Sequence, residues 1–179
     1  NNCITIPVSG FVRPPLPERS VVSVIRNWAV LTVCAGVVLG SAACGSGEQK
    51  EPPVATPSLT INKDKVPIQS PVKLTYKFEV LPGAKFDAGY WVFVHVLDPD
   101  GEQLWTDDHL PSIPTSQWKP GQKVEYTRTV FVPNYPYIGE GVVRLGLCCP
   151  PSGKRLTLNA QEASRREYIV GKFQLLPLS

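Results

Sequence analysis

The sequence has no methionine, only two histidines and few charged residues, and each shortage narrows the range of functions. Without methionine, the thioether ligands expected in a copper(I) carrier are missing. The motifs G-x-S-x-G and H-E-x-x-H, a phosphate-binding glycine loop and a dinucleotide fingerprint are also missing, so catalysis is disfavoured. Lys and Arg total 18 against 15 Asp and Glu, a scattered and nearly even balance that predicts no nucleic-acid partner.

Cysteine and charge also limit the architecture. Five cysteines in 179 residues are too few for a scaffold built on disulfides. A hydrophobic fraction of 42% excludes a largely disordered chain. Because domains usually contain about 100–200 residues, the length allows one folded unit with a tail.

The first 43 residues are predicted to be an export segment ahead of the folded domain. Residues 1–20 contain four prolines and no sustained period, which indicates a non-structural extension. In residues 21–43, Arg26 precedes an uncharged apolar run at 28–39, and small residues follow. This order is typical of a secretory signal peptide. The alternative, a membrane-spanning anchor, would need about 20 apolar residues.

Cys44 is the candidate lipidation site. The stretch Ser41-Ala42-Ala43-Cys44 resembles a bacterial lipobox, in which the cysteine becomes the lipidated first mature residue. Ordinary signal-peptidase cleavage at the same bond is the alternative. Residues 44–58 are rich in Gly, Pro and charge and predict a flexible tether. The expected location is therefore extracytoplasmic, with a lipid anchor in a membrane, in the periplasm or on the cell surface.

From residue 59 onward the dominant hydrophobic period is two, which predicts β-strands. The alternation is clearest over residues 72–80, and residues 90–98 are apolar on both faces, as in a central strand. Further strands are predicted at 59–62, 103–106, 124–131, 141–148 and 167–176. A short stretch at 159–166 is the only helix candidate.

These strands predict an all-β domain over residues 59–179. About seven short strands separated by Pro and Gly turns favour an antiparallel β-sandwich of immunoglobulin or fibronectin type III form, preceded by a signal-peptide helix and the tether. A small barrel is the alternative architecture.

One cluster could carry metal chemistry. Asp107, Asp108 and His109 are consecutive, and carboxylates beside an imidazole can hold a divalent cation. Three consecutive residues point in different directions, so at most two of them would serve one ion. A solvated loop with turn-capping acids is the alternative for this run. His95, in the strand that is apolar on both faces, could join the cluster, and a buried hydrogen-bonded ring is the alternative for it. No cofactor is predicted.

Aromatic residues in the longest loops are the candidate ligand contacts. Trp105, Trp118, Tyr135 and Tyr137 lie in or beside the stretches 107–122 and 132–140. Loops at the ends of a sandwich commonly form binding surfaces, and exposed rings stack on sugars or anchor protein partners. The alternative is that these rings fasten the loops to the sandwich.

The run VHVLDPDGEQLWTDDH, followed by PTSQWKPGQ, VPNYPYIGE and SGKRLTL, resembles a β-sandwich module of uncharacterised bacterial envelope proteins. Similar segments occur in extracytoplasmic sandwich domains attached to membrane glycosyltransferases. The resemblance covers about residues 72–176 and implies a binding or structural module, without catalytic residues to assign. We therefore predict a lipid-anchored, non-enzymatic binding or scaffolding module of the cell envelope with a glycan or protein ligand. A metal-binding protein or metal-dependent hydrolase is the alternative.

Overall fold

The structure is a computed structural model in which residues 51–178 are described. The predicted extension at 1–20, the signal peptide at 21–43 and the lipidated Cys44 therefore lie outside the described residues. No helix between residues 51 and 178 combines the length and the apolar character needed to cross a membrane.

The described chain is built from β-strands joined by turns. The strands are β1 (Ala55–Ile61), β2 (Lys65–Pro67), β3 (Pro71–Val80), β4 (Trp91–Leu97), β5 (Gln103–Thr106), β6 (Lys123–Phe131), β7 (Gly139–Cys149), β8 (Lys154–Arg155), β9 (Glu162–Ser164) and β10 (Glu167–Leu176). A single 3₁₀ turn at Thr115–Gln117 is the only helical element of this part of the chain.

The first sheet has three strands in the order β1-β3-β6, all antiparallel. In β3, Val72, Leu74, Tyr76 and Phe78 are buried, whereas the intervening residues are partly or fully exposed. This alternation gives the sheet one face toward the core and one face toward water, because successive side chains of a strand point to opposite faces.

The second sheet follows the path β2-β10-β7-β4-β5, with β8 pairing on β7 and β9 on β10. All of its pairings are antiparallel except the three-residue contact of β2 with β10, which is parallel. Val92, Val94 and Val96 of β4 join the core on the inner face of this sheet. Phe93 and His95 therefore lie on its outer face, where Phe93 forms a small separate buried cluster with Cys148.

The predicted all-β sandwich is confirmed, and its strands differ from the prediction at β1 and through the additional short strands β2, β8 and β9. β1 begins at Ala55, within the segment assigned to the tether, and pairs along its whole length with β3. The helix predicted at 159–166 is wrong: this segment contains β9 and a turn. Eight residues are too few for a stable helix on propensity alone, and pairing with β10 satisfies their backbone instead.

Candidate functional site

Trp118, a predicted ligand contact, lies inside the domain. Only 5% of the residue is exposed. The indole ring packs against Phe78 and Phe86, whose ring centroids are 5.1 and 5.5 Å away. Its Nε1 donates a hydrogen bond of 2.8 Å to the carbonyl oxygen of Ile113. Trp118 therefore fastens its loop to the core.

The other three aromatic candidates also pack against the core. Trp105 lies opposite Val96 of β4, and its ring centroid is 5.8 Å from that of Phe173. The hydroxyl of Tyr137 donates to the carbonyl oxygen of Glu140 at 3.1 Å. Since each ring makes contacts within the domain, the four do not form one open aromatic surface, and their assignment as ligand contacts stays a prediction.

Asp107, Asp108 and His109 prolong β5 along β4 and use their side chains in different ways. The backbone N–H of Asp107 donates to the carbonyl of Val94 at 3.0 Å, and His109 exchanges two 2.9 Å backbone bonds with Val92. Between them, the Asp108 carboxylate accepts the N–H of Val94 at 2.8 Å. The Asp108 side chain thus takes a place in the ladder that a backbone carbonyl would normally fill.

The Asp107 carboxylate lies at the centre of a polar cluster that joins the two sheets. Arg128 on β6 donates from Nε to one carboxylate oxygen at 2.9 Å and from Nη2 to the other at 2.8 Å. Tyr76 on β3 donates its hydroxyl to Asp107 at 2.9 Å. We call Asp107, His109, Tyr76, Tyr126 and Arg128 the inter-sheet clasp.

The hydrogen bonds of His109 define its tautomer. Nδ1 lies 2.6 Å from the carbonyl oxygen of Asp107, and because a carbonyl only accepts, Nδ1 carries the proton. Nε2 then accepts the hydroxyl of Tyr126 at 2.8 Å. Burial lowers the pKa of His109 and raises the pKa of Tyr126, so a neutral ring facing a protonated hydroxyl agrees with this pattern.

The clasp leaves no vacant ligand set for a metal ion. Both nitrogens of His109 are hydrogen-bonded, and the Asp107 carboxylate is shared by Arg128 and Tyr76. Between residues 51 and 178, no group of three or more His, Cys, Asp or Glu side chains could hold a metal ion. The predicted alternative function, metal binding or metal-dependent hydrolysis through Asp107, Asp108 and His109, is therefore wrong.

A second polar cluster lies on the outer face of the larger sheet. We call Arg144 of β7, Arg155 of β8, and Arg165 and Arg166 between β9 and β10 the arginine face. The Glu167 carboxylate lies among them, 3.1 Å from Nη1 of Arg155. Arg155 also donates to the carbonyl oxygen of Arg165 at 3.0 Å, so it ties the turn to the sheet.

The ring of Phe93 packs beneath the guanidinium group of Arg155. The guanidinium carbon of Arg155 lies 4.4 Å from the centroid of the Phe93 ring, a cation–π contact. The ring in turn covers Gly146 of the neighbouring strand, where any Cβ would overlap it and the carbonyl oxygen of Arg166. Glycine at position 146 therefore allows Phe93 to lie flat beneath Arg155.

Arg144 differs from the other members of the arginine face because it has a buried donor atom without a partner among the described residues. It lies directly opposite His95 on β4, so both side chains share the outer face of the sheet. Its Nε is buried and has no hydrogen-bond partner within residues 51–178, and the same holds for Nε2 of His95. On the other side of His95, Nδ1 lies 3.5 Å from Glu167. Burial alone would raise the pKa of Glu167, but His95 and Arg155 lower it, so this carboxylate is ionised.

The turn that carries Arg165 and Arg166 has an unusual backbone. Its two central residues have φ values of 45° and 61° and join Ser164 to Glu167 as a two-residue hairpin. Such type I′ turns favour Asn-Gly, because most other residues resist positive φ. The N–H of Arg166 is held by the Glu162 carboxylate at 2.8 Å. The strained turn places the exposed Arg165 at the tip of the hairpin.

The arginine face is the feature that reading the sequence missed. Its signals are present: Arg144 is the only charge in the apolar stretch from 141 to 149, and basic pairs stand at 154–155 and 165–166. The near-even total charge concealed them, because acidic residues elsewhere in the chain offset a local excess. The order of β7, β8 and β10 in the sheet, which the period of two does not reveal, brings the basic residues together.

Comparisons with known proteins give only distant likenesses among solved structures. No family model and no curated protein matches the chain. Among solved structures, it is similar to the Pseudomonas fluorescens alkylpurine DNA glycosylase AlkC bound to DNA containing an abasic site analog, at 12% identity and a TM-score of 0.42. The likeness covers 69% of this chain and 30% of that one, so the chain spans less than a third of the glycosylase's length.

Two predictions are corrected here. The sequence predicts an envelope binding or scaffolding module without a nucleic-acid partner, whereas the solved structure described above is that of a DNA-bound protein. Both predictions are therefore withdrawn, and so distant a likeness transfers neither a ligand nor an activity to this chain. Trp118 is buried, and the assignment of the four aromatic residues as ligand contacts stays a prediction. The lipid anchor and the extracytoplasmic location concern residues before 51 and stay predictions.

Proposed function

We propose that the domain is a binding module for a phosphodiester polyanion, with the backbone of a nucleic acid as the ligand and the arginine face as its contact surface. Arg144 carries this proposal. Its guanidinium makes no hydrogen bond or ion pair within residues 51–178, and its Nε is a buried donor without an acceptor. Such a donor costs about 1–3 kcal/mol. Because Arg144 as a whole is only partly buried, a movement of its side chain toward a phosphate oxygen would recover this cost.

The surroundings of Arg144 suit phosphate chemistry. Guanidinium groups present planar forks of N–H donors that match phosphate oxygens, and arginine is preferred over lysine wherever such planar recognition matters. Arg155 is held in place by Glu167 and by the ring of Phe93, so little side-chain freedom is lost when it binds. Arg165 is exposed at the hairpin tip and extends the face beyond the sheet.

Fluorescence anisotropy with labelled single-stranded and duplex DNA of mixed sequence tests the proposal. We expect weak binding that falls as salt rises from about 50 to 200 mM, since each phosphate contact contributes about 0.7–0.9 to the slope of log K against log salt. Arg144→Gln should weaken binding several-fold and reduce this slope by about one contact.

Lys73→Gln is the matched control, because it removes one positive charge from an exposed position on the other sheet. Equal loss in Arg144→Gln and Lys73→Gln would show that net charge alone drives binding and would overturn the assignment of the face. Polyglutamate of equal charge serves as a second ligand. Binding as tight as that of DNA would contradict the phosphodiester class, and so would the absence of DNA binding at low salt.

A further inference from the structure

Within residues 51–178, the edge strand β6 has a long row of backbone groups without partners. It is the outermost strand of the three-stranded sheet and runs for nine residues. The opposite edge, β1, lies against β10, where Gly171 approaches Leu59 and Ile61. The edges of the larger sheet are β2 and β5, which have only three and four residues. Among the described strands, β6 therefore presents the longest open edge.

The backbone bonds around the sheet show which residues of β6 face outward. The N–H of Val80 donates to the carbonyl oxygen of Gln122, and the N–H of Val132 donates to that of Ser70. Both bonds continue the β3–β6 register, so the even-numbered residues of β6 bond to β3. Because antiparallel bonds alternate along a strand, the N–H and C=O groups of the odd-numbered residues point away from the sheet. These residues are Lys123, Glu125, Thr127, Thr129 and Phe131, whose side chains lie on the solvent face.

The exposed side chains of β6 are complementary to those of a second, antiparallel β6 strand. In an antiparallel pair of two β6 strands centred on Thr127, each Phe131 lies opposite Lys123 of the other copy, and each Glu125 lies opposite Thr129. No like charges then face each other, and the aromatic ring meets the lysine stem and ammonium group. Phe131, at 62% exposed, is the most exposed large hydrophobic residue of the described chain. A register centred on Glu125 would instead oppose two carboxylates.

We propose that β6 is an interface for a second copy of this chain, in which the two strands pair antiparallel about Thr127. The pair joins two three-stranded sheets into one six-stranded sheet and gives the outward backbone groups of both edges their partners. Thr127 already shares a 2.8 Å hydroxyl–hydroxyl hydrogen bond with Thr75. The axis of the pair thus extends a row of threonines that crosses the sheet. The arginine face lies on the other sheet, so this proposal is independent of the polyanion proposal.

Sedimentation velocity over a range of protein concentrations tests the interface. A single edge-to-edge strand pair is smaller than the interface of a stable dimer, so we expect a reversible monomer–dimer equilibrium rather than a permanent dimer. Thr127→Lys places two lysines opposite each other at the axis and should raise the dimer dissociation constant by about tenfold or more. The matched control is Thr75→Lys, which adds the same charge on the same face and removes the same hydroxyl bond, one strand away from the edge.

A second variant checks the backbone part of the proposal. Thr127→Pro removes an N–H that faces solvent in the monomer, so an edge strand tolerates it. It deletes one bond of the pair in each copy, and we expect dimerisation to be lost while the urea midpoint stays close to that of the parent. A monomer at all concentrations in the parent protein would overturn the proposal. Equal dimerisation of parent, Thr127→Lys and Thr127→Pro, or equal loss in Thr75→Lys, would overturn it as well.

Discussion

Replacing Asp107 by asparagine tests the energetic role of the inter-sheet clasp. The substitution keeps the size of the side chain and removes its charge, so Arg128 loses an ionised acceptor and the hydroxyl of Tyr76 loses a strong one. Removing one partner of a buried ion pair costs about 3–5 kcal/mol. Because the Arg128 side chain is 38% exposed, water partly compensates its guanidinium. We therefore expect a loss of about 2–3 kcal/mol in the free energy of unfolding.

Urea unfolding followed by tryptophan fluorescence measures this loss. With slopes of about 1–3 kcal/mol per molar urea, the midpoint of Asp107→Asn should fall by about 1–2 M at an unchanged slope. Asp100→Asn makes the same chemical change in the exposed turn between β4 and β5 and should stay within about 0.5 kcal/mol of the parent.

A double-mutant cycle separates the pair from its surroundings. Combined with Arg128→Gln, the Asp107→Asn substitution should show a coupling energy of about 1 kcal/mol or more, because the two side chains are in direct contact. Additive losses, or a single Asp107→Asn variant as stable as Asp100→Asn, would refute the view that this ion pair holds β5 to β6.

The other predictions concern the imidazole of the clasp and the support of the arginine face. Burial lowers the pKa of His109 in the folded state below the ordinary value of about 6.5. The neutral His109 ring therefore stabilises the fold above about pH 6.5, and this contribution is lost as the pH falls toward the folded pKa. The difference in unfolding free energy between the parent and His109→Gln should therefore narrow from pH 8 to pH 5 in urea titrations, and a constant difference would contradict the neutral assignment. Gly146→Ala should cost about 1–3 kcal/mol or more, because the new methyl group overlaps the Phe93 ring, whereas Gly89→Ala, with open space around its Cβ, is the control. Equal thermal midpoints of these two variants would show that Phe93 moves aside freely.

The fold could be predicted because its signals are local. Alternation along β3 and β6, and the doubly apolar β4, follow from which side chains meet the core. The turn at 98–101, with Gly101 at φ 90°, is likewise readable from the residues that tolerate positive φ. Segment 159–166 could not be read in this way, because its pairing with β10 is decided by a partner outside the window.

The candidate sites depend on neighbours that are distant in sequence. Asp107 and His109 were singled out as chemically active, but their partners Tyr76, Tyr126 and Arg128 lie on two strands of the other sheet. Only the position of these partners shows that the polar atoms of Asp107 and His109 are already hydrogen-bonded and do not form a metal site. The arginine face has the same character, since β7, β8 and the β9–β10 turn become neighbours through sheet order alone.

Strand β6 links the clasp to the proposed interface between copies. Its even-numbered residues, including Tyr126 and Arg128, point inward and hold the other sheet, while its odd-numbered residues present the open edge. A strand whose inward side chains are fixed by buried hydrogen bonds loses little further freedom when its edge pairs, and such preorganisation favours association. Asp107→Asn should therefore weaken self-association as well as folding, although Asp107 lies on the other sheet. A dimerisation constant unchanged in Asp107→Asn under conditions where the variant is fully folded would show that the clasp and the edge act independently.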